Sequence, residues 1–139
     1  MLDENCPIEE VRTLFANDRF ATEACGCRVL EAAKGHAVCA FDIADIHRNA
    51  QGNIMGGAIF TLADFAFASS AYANGIFTTA INCSIEYLSA GRGSFLTSKG
   101  YIDKAGRSIV FGGADVYDET GKMIARLSVQ AFRIEKPMV

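Results

Sequence analysis

HRNAQGNIMGGAIFTLADFAFASSAY, residues 47–72, opens as a polar loop, passes the pair Gly56-Gly57, and continues as an apolar run holding one carboxylate, Asp64. From Ile54 to about Ala73 the run is long enough for roughly five helical turns. Ile59, Leu62, Phe65, Ala66, Phe67 and Ala68 cover nearly its whole circumference, so the helix must be enclosed by other structure. Its small residues let neighbouring backbones come close, and Asn74-Gly75 is a good C-terminal stop.

Downstream, four strand-like runs follow: Thr78–Tyr87, Ser94–Asp103, Ser108–Tyr117 and Met123–Ile134. They are separated by Ala90-Gly91-Arg92-Gly93, Lys104-Ala105-Gly106-Arg107 and Asp118-Glu119-Thr120-Gly121-Lys122, turn-like spacings that predict antiparallel hairpin neighbours. Upstream, CGCRVLEAA and HAVCAFDIA, parted by Lys34-Gly35, read as another hairpin, and Asp45–Asn53 as a loop. Before them, Pro7-Ile8-Glu9-Glu10-Val11 reads as a helix start, with Ile8, Val11, Leu14 and Phe15 on one face. The expected class is α+β: a six-stranded, mostly antiparallel sheet must cover its apolar face, and the central helix is the only sufficiently apolar cover. No linker or repeat divides the chain, so residues 1–139 are expected to form one domain. The sheet's other face and edges predict self-association.

Composition narrows the function. The 139 residues are half hydrophobic with net charge −3, and no Lys/Arg run supplies the face that nucleic acid requires. The N-terminal MLDENCPIEEV lacks an apolar signal core, and Gly56, Gly57, Thr61, Asp64, Ser69 and Ser70 interrupt the longest apolar stretch. The expectation is a soluble cytoplasmic protein with no membrane span. Five cysteines without paired ligand spacing predict buried thiols in a reducing compartment and no metal centre.

The chemistry-bearing residues gather around the central helix. Gly56-Gly57 at its start allows backbone N–H groups to meet a ligand where the helix carries partial positive charge, or allows tight helix–sheet packing. Asp64, about two turns further in, is a costly carboxylate unless hydrogen-bonded or facing a cavity; there it could activate water or attack as a nucleophile. Asn49 either holds a substrate carbonyl or water, or makes an Asx turn. His47 is a possible base, though a lone loop histidine is expected to be a solvent-exposed bystander. Arg92, Lys99, Lys104 and Arg107 near the later hairpins suit either phosphates or solvent. Gly-x-Ser-x-Gly, Gly-x-Gly-x-x-Gly and Walker loops are absent.

Together His47-x-Asn49, Gly52, Gly56-Gly57 and Leu62-Ala63-Asp64 resemble the active-site signature of the hotdog-fold acyl-CoA thioesterases, nearest the phenylacetate-degradation type of the four-hydroxybenzoyl-CoA thioesterase superfamily. Ser84-Ile85-Glu86-Tyr87-Leu88-Ser89-Ala90-Gly91 resembles the family's strand after the helix, and Gly106-Arg107-Ser108 stands where the family often has Gly-Lys-Ser/Thr. The resemblance covers about residues 10–134. It implies a sheet wrapped around a helix, homodimers or homotetramers, and sites at the dimer interface. It implies Asp64 as the carboxylate, the Gly56 N–H as carbonyl polariser, and Asn49 as a positioner. His47, Met55 and Gly57 would stand near the substrate, with Gly106, Arg107 and Ser108 along the coenzyme A path. No cofactor is implied beyond the coenzyme A of the substrate itself.

Two departures stand out. Many relatives have histidine directly before the glycine pair; here it is Met55, which cannot donate that hydrogen bond. Some relatives also use a hydroxyl on the strand after the helix to orient water. Thr78, Thr79, Asn82 and Ser84 are the candidates, with Thr79 and Asn82 carried forward as substrate contacts. Phe60, Phe65, Phe67 and Tyr72 either shape an acyl pocket or pack the core. The competing functions are a non-catalytic binder of acyl-CoA or aromatic ligands, and a hydratase or dehydratase.

Overall fold

The computed structural model describes residues 8–135. Its helices and strands are α1 (Ile8–Phe15), β1 (Arg28–Ala33), β2 (His36–Asp42), α2 (Gly56–Ala73), β3 (Phe77–Tyr87), β4 (Phe95–Ala105), β5 (Ile109–Asp118) and β6 (Met123–Ile134). A π-helical turn, Phe20–Ala24, follows α1, and a short 3-10 turn, Asp45–His47, lies in the predicted loop. The expected Pro7 helix start and Cys6 fall outside the described residues.

α2 begins once Met55, in extended conformation, offers its carbonyl to the N–H groups of Ala58 and Ile59. It ends at Asn74, and Gly75 follows at φ 77°, a left-handed conformation that glycine takes without Cβ strain. The six strands form one sheet in the order β1-β2-β4-β5-β6-β3, every neighbouring pair antiparallel. α2 touches all six strands. Leu62, Ala63, Ala66 and Phe67 are buried against Phe41, Leu96, Val110, Ile124, Leu127 and Val129. The predicted α+β class and the wrapped sheet are therefore observed.

The tightest helix–sheet contact is at Gly100. A Cβ there would lie 2.1 Å from the Ala66 carbonyl oxygen and 2.8 Å from the Phe67 nitrogen. Glycine lets the helix backbone lie directly on the sheet.

One predicted connection is corrected. Ala90–Gly93 does not turn β3 into a hairpin with β4. β3 pairs with β6, and β4 lies between β2 and β5. Beyond β3 the N–H groups of Leu88 and Ser89 still donate to the Ile124 carbonyl of β6, so the chain cannot double back. It crosses the end of the sheet, where Gly91 fits against Ile54, Leu96 and Ile124 so closely that a Cβ would lie 3.1 Å from each of their side chains. β3 is thereby left as an edge strand.

Among the described residues no helix is long and apolar enough to cross a membrane.

Gly100→Ala must drive a methyl group into the α2 backbone. It is expected to destabilise the protein by more than about 3 kcal/mol, read as a lowered midpoint in urea unfolding.

Candidate active site

Asp64 lies on the side of α2 that faces away from Gly100. Ala66, two residues on, is turned about 200° around the helix, so with Ala66 on the sheet Asp64 points toward α1 and its following turn. There it lines a cavity of about 330 Å³ with Leu14, Phe15, Asp18, Tyr72 and Phe77. Phe15 packs edge-on against Phe65 and Tyr72, with ring centroids 5.7 and 5.8 Å apart, and Tyr72 lies 5.2 Å from Phe77. The walls are thus largely aromatic.

Two shielded acids show what is unusual about this one. Asp118, buried in the β5–β6 turn, accepts from the N–H groups of Arg92, Thr120 and Lys122 and from the Thr120 hydroxyl, which hold its carboxyl below the ordinary range. Asp64 accepts no hydrogen bond among the described residues. Burial, and then the like charge of Asp18, push its carboxyl above the ordinary value of 3.8. An incompletely solvated carboxylate facing a cavity is a suitable proton acceptor.

At the other end of the site, the turn leaves the N–H groups of Gly56 and Gly57 at the helix mouth, where the dipole is positive. Gly56 is closely approached by Tyr87. The Tyr87 hydroxyl donates to its carbonyl at 2.9 Å, and a Cβ on Gly56 would lie 3.0 Å from the tyrosine ring. Gly57 is less constrained: a Cβ would meet only Met55, at 3.9 Å. Met55 is half exposed beside this mouth, its own N–H donated to the His47 carbonyl at 2.7 Å. Tyr87 was not singled out from sequence. It reaches Gly56 only because β3 runs back along α2, which no local pattern records.

Gly56 and Asp64 are eight residues apart, about 12 Å along the helix. β3 repeats the interval: Tyr87 touches Gly56, while Cys83, four residues earlier and about 13 Å away in a strand, is close enough for the Asp64 charge to add to burial in raising its thiol.

The strand residues sort unexpectedly. Thr78 and Ala80 line the cavity, but a bulge between Ala80 and Asn82 inserts Ile81 and switches the alternation, so Cys83 and Ile85 pack inward. Thr79 and Asn82 therefore belong to the exposed face, where the Asn82 amide donates to Gln130 at 2.7 Å. Both are removed from the Asp64 surroundings. Cys83 takes the inward place for which a hydroxyl was sought, and only advance knowledge of the bulge would have selected it.

His47 is also corrected. It is 4% exposed, stacked on Phe41 at 4.0 Å between centroids. Nδ1 accepts from the Ala44 N–H at 2.9 Å and Nε2 meets the Cys25 carbonyl at 2.7 Å, which puts the proton on Nε2. Both nitrogens are used in holding the loop, leaving none for a ligand. Asn49 makes the Asx arrangement: Oδ1 accepts from Gln51 and Asn53 at 3.0 and 3.1 Å. Gly106, Arg107 and Ser108 form the β4–β5 turn, tied to Arg133 through the Gly106 and Ser108 carbonyls. This turn lies at the cavity's end of the sheet, since Ile109 pairs with Phe132 and Ile134 with Phe77.

A curved antiparallel sheet around one helix, with a glycine pair at its mouth and a bare aspartate on its flank, is the architecture of the hotdog fold. The thioesterase superfamily pattern matches residues 51–125, and the chain belongs to that family. It is an enzyme of the thioesterase class. The acyl-coenzyme A thioesterase PaaI of Escherichia coli is 25% identical over 127 residues, covering 91% of this chain and 90% of its own. A phenylacetic acid degradation protein PaaI of Thermus thermophilus, solved as a variant, is 30% identical with a TM-score of 0.75, covering 81% of this chain and 97% of that one. A Streptococcus pneumoniae thioesterase protein solved with coenzyme A shares the fold, with a TM-score of 0.79 at 24% identity over 86% of this chain and 96% of that one. These likenesses bear out the resemblance drawn from the signature residues.

The Asp64 environment has a measurable cost. A carboxyl raised in the folded state contributes stability below its unfolded value and loses it as pH rises through the folded value. Asp64→Asn is therefore expected to be more stable than the parent at neutral pH, with the gain shrinking as pH falls through the raised folded value and gone below 3.8. Thermal unfolding of both proteins across that range checks this; a gain that persists undiminished at low pH would contradict it.

Proposed function

We propose that this protein hydrolyses an acyl-coenzyme A thioester to the free acid and coenzyme A, with Asp64 as the reacting carboxylate. The observation that carries the reading is Asp64 itself, held without a hydrogen-bond partner among the described residues at the wall of an aromatic cavity. The coenzyme A moiety is proposed from the activity named for the E. coli relative.

Asp64 takes a proton from water as the water oxygen bonds to the thioester carbon. Alternatively it bonds to that carbon directly, and water then cleaves the resulting anhydride. In both routes the carbonyl electrons move to an oxyanion facing a Gly56 N–H, and its collapse expels the coenzyme A sulfur, which leaves as thiol after protonation. No cofactor enters. Tyr87 holds the Gly56 peptide in place. Arg107, exposed in the β4–β5 turn and without an ion-pair partner among the described residues, is proposed to meet the coenzyme A phosphates beside Gly106 and Ser108.

The Gly56 N–H must stand within about 3 Å of the carbonyl oxygen, and Asp64 must reach its carbon directly or through one water, whereas about 12 Å of helix separates them within one chain. We therefore assign the Gly56 N–H of each site to the partner subunit. β3 suits that assembly. It is an eleven-residue edge without proline, carrying the exposed Ile81 and Tyr87, and unpaired edges of this kind invite a second strand. Antiparallel pairing of two β3 strands, centred between Cys83 and Tyr87, would bring each helix mouth toward the other subunit's carboxylate.

Asp64→Asn is expected to lower thiol release from acyl-coenzyme A by roughly 100- to 10,000-fold; parental rates would refute the assignment. Gly56→Pro, which removes the N–H at the first helical position and obliges the Tyr87 ring to move aside, is expected to be similarly impaired. Refolding equal amounts of the two inactive variants together should restore about a quarter of parental activity, because half the dimers then carry one intact site. A site contained within one subunit would recover nothing.

A further inference from the structure

The cavity has a second carboxylate that the reaction above does not use. We infer that Asp18 is a specificity-determining residue, which restricts the pocket to acyl groups uncharged at their far end and repels those ending in a carboxylate. This rests on the thioesterase reading of the same site.

The placement of Asp18 is well defined. Its N–H donates to the Phe15 carbonyl at 3.0 Å, and its carbonyl accepts from the Thr22 N–H and hydroxyl at 2.9 and 3.0 Å. The backbone is thus pinned between α1 and the π-helical turn. The side chain makes no hydrogen bond or ion pair among the described residues. It lines the main cavity with Asp64, and it also lines a neighbouring concavity with Asp64, Phe60 and Phe65.

Among the described residues no Lys or Arg lines the main cavity. Arg19 borders the neighbouring concavity, but its Nε is engaged by Glu23 at 2.6 Å. An entering acyl chain therefore meets Leu14, Phe15, Phe67, Tyr72 and Phe77, and two negative charges with no cation among the lining residues to offset them. An apolar tail gains from burial there. A tail ending in a carboxylate is both desolvated and repelled. Asp64 is tied to the chemistry and feels the Asp18 charge, so the effect of Asp18 on selection is read from binding and not from turnover.

The test separates binding from turnover by using thioethers, which cannot be hydrolysed. Affinities of S-octyl-coenzyme A and of its analogue with a carboxylate in place of the terminal methyl are measured by calorimetry for parent and Asp18→Asn. The parent should prefer the methyl-ended ligand. Asp18→Asn should narrow that preference roughly five- to tenfold, mainly by tightening the carboxylate ligand. The parental preference should also shrink with added salt, because Asp18 is solvent-exposed. An unchanged preference in Asp18→Asn, a salt-independent one, or no binding of either thioether would overturn the inference. Asp18→Ser is measured beside it, and a narrowing in only one variant would point to local misfolding and likewise count against the role. Thiol release from octanoyl-coenzyme A by the parent separately tests the thioesterase reading: selective thioether binding without release would defeat hydrolysis while leaving the selection intact.

Discussion

The helix backbone rests on the sheet at Gly100 with no side chain between them. Much of the rest follows from that contact. It lets α2 sink far enough to touch every strand, and it fixes the helix's rotation. With Ala66 against the sheet, Asp64 must face the opposite way, toward α1 and the start of β3. The carboxylate is exposed to a cavity because the far side of the same helix is committed to the core.

β3 and α2 run side by side in opposite directions, and the strand marks off the helix. Tyr87 stands at the glycine mouth, Cys83 near Asp64, and Thr78 and Phe77 in the cavity. Helix rise and strand rise then give nearly the same separation between mouth and carboxylate, on the order of 12–13 Å. Both elements hold these groups apart within one chain, and that separation is the ground on which a second copy is proposed for the reaction.

What could be read in advance followed physical range. An apolar run closed by Asn74-Gly75 had to be an enclosed helix, and a lone acid within it had to be explained, so α2 and Asp64 were legible. Family resemblance added the glycine mouth. His47 was misjudged because its neighbours in sequence are polar, while its actual surroundings, Phe41 and the Cys25 carbonyl, come from β2 and the segment before β1. Asp18 and Tyr87 were invisible for the same reason: each acquires its setting only when distant segments meet. The β3–β4 turn was misplaced because Gly91 and Gly93 signal a change of direction without saying which strand the chain will join.

The bulge at Ile81 divides β3 into two stretches with opposite inward parity. Before it Thr78 and Ala80 line the cavity, with Phe77 at the strand's start, and after it Cys83 and Ile85 pack toward the helix. Such a strand can be diversified in two independent registers. Changes at Thr78 and Ala80 would remodel the tail end of the pocket, and changes at Cys83 and Ile85 the ground beside the carboxylate. Deleting Ile81 would leave Ala80 and Asn82 consecutive against Ala131 and Gln130, a regular ladder in which Asn82 and Ser84 still face outward and Cys83 inward. The bulge thus carries one surplus residue while each side of the strand keeps its own facing, so the length of β3 can change there by one residue without exchanging the two faces.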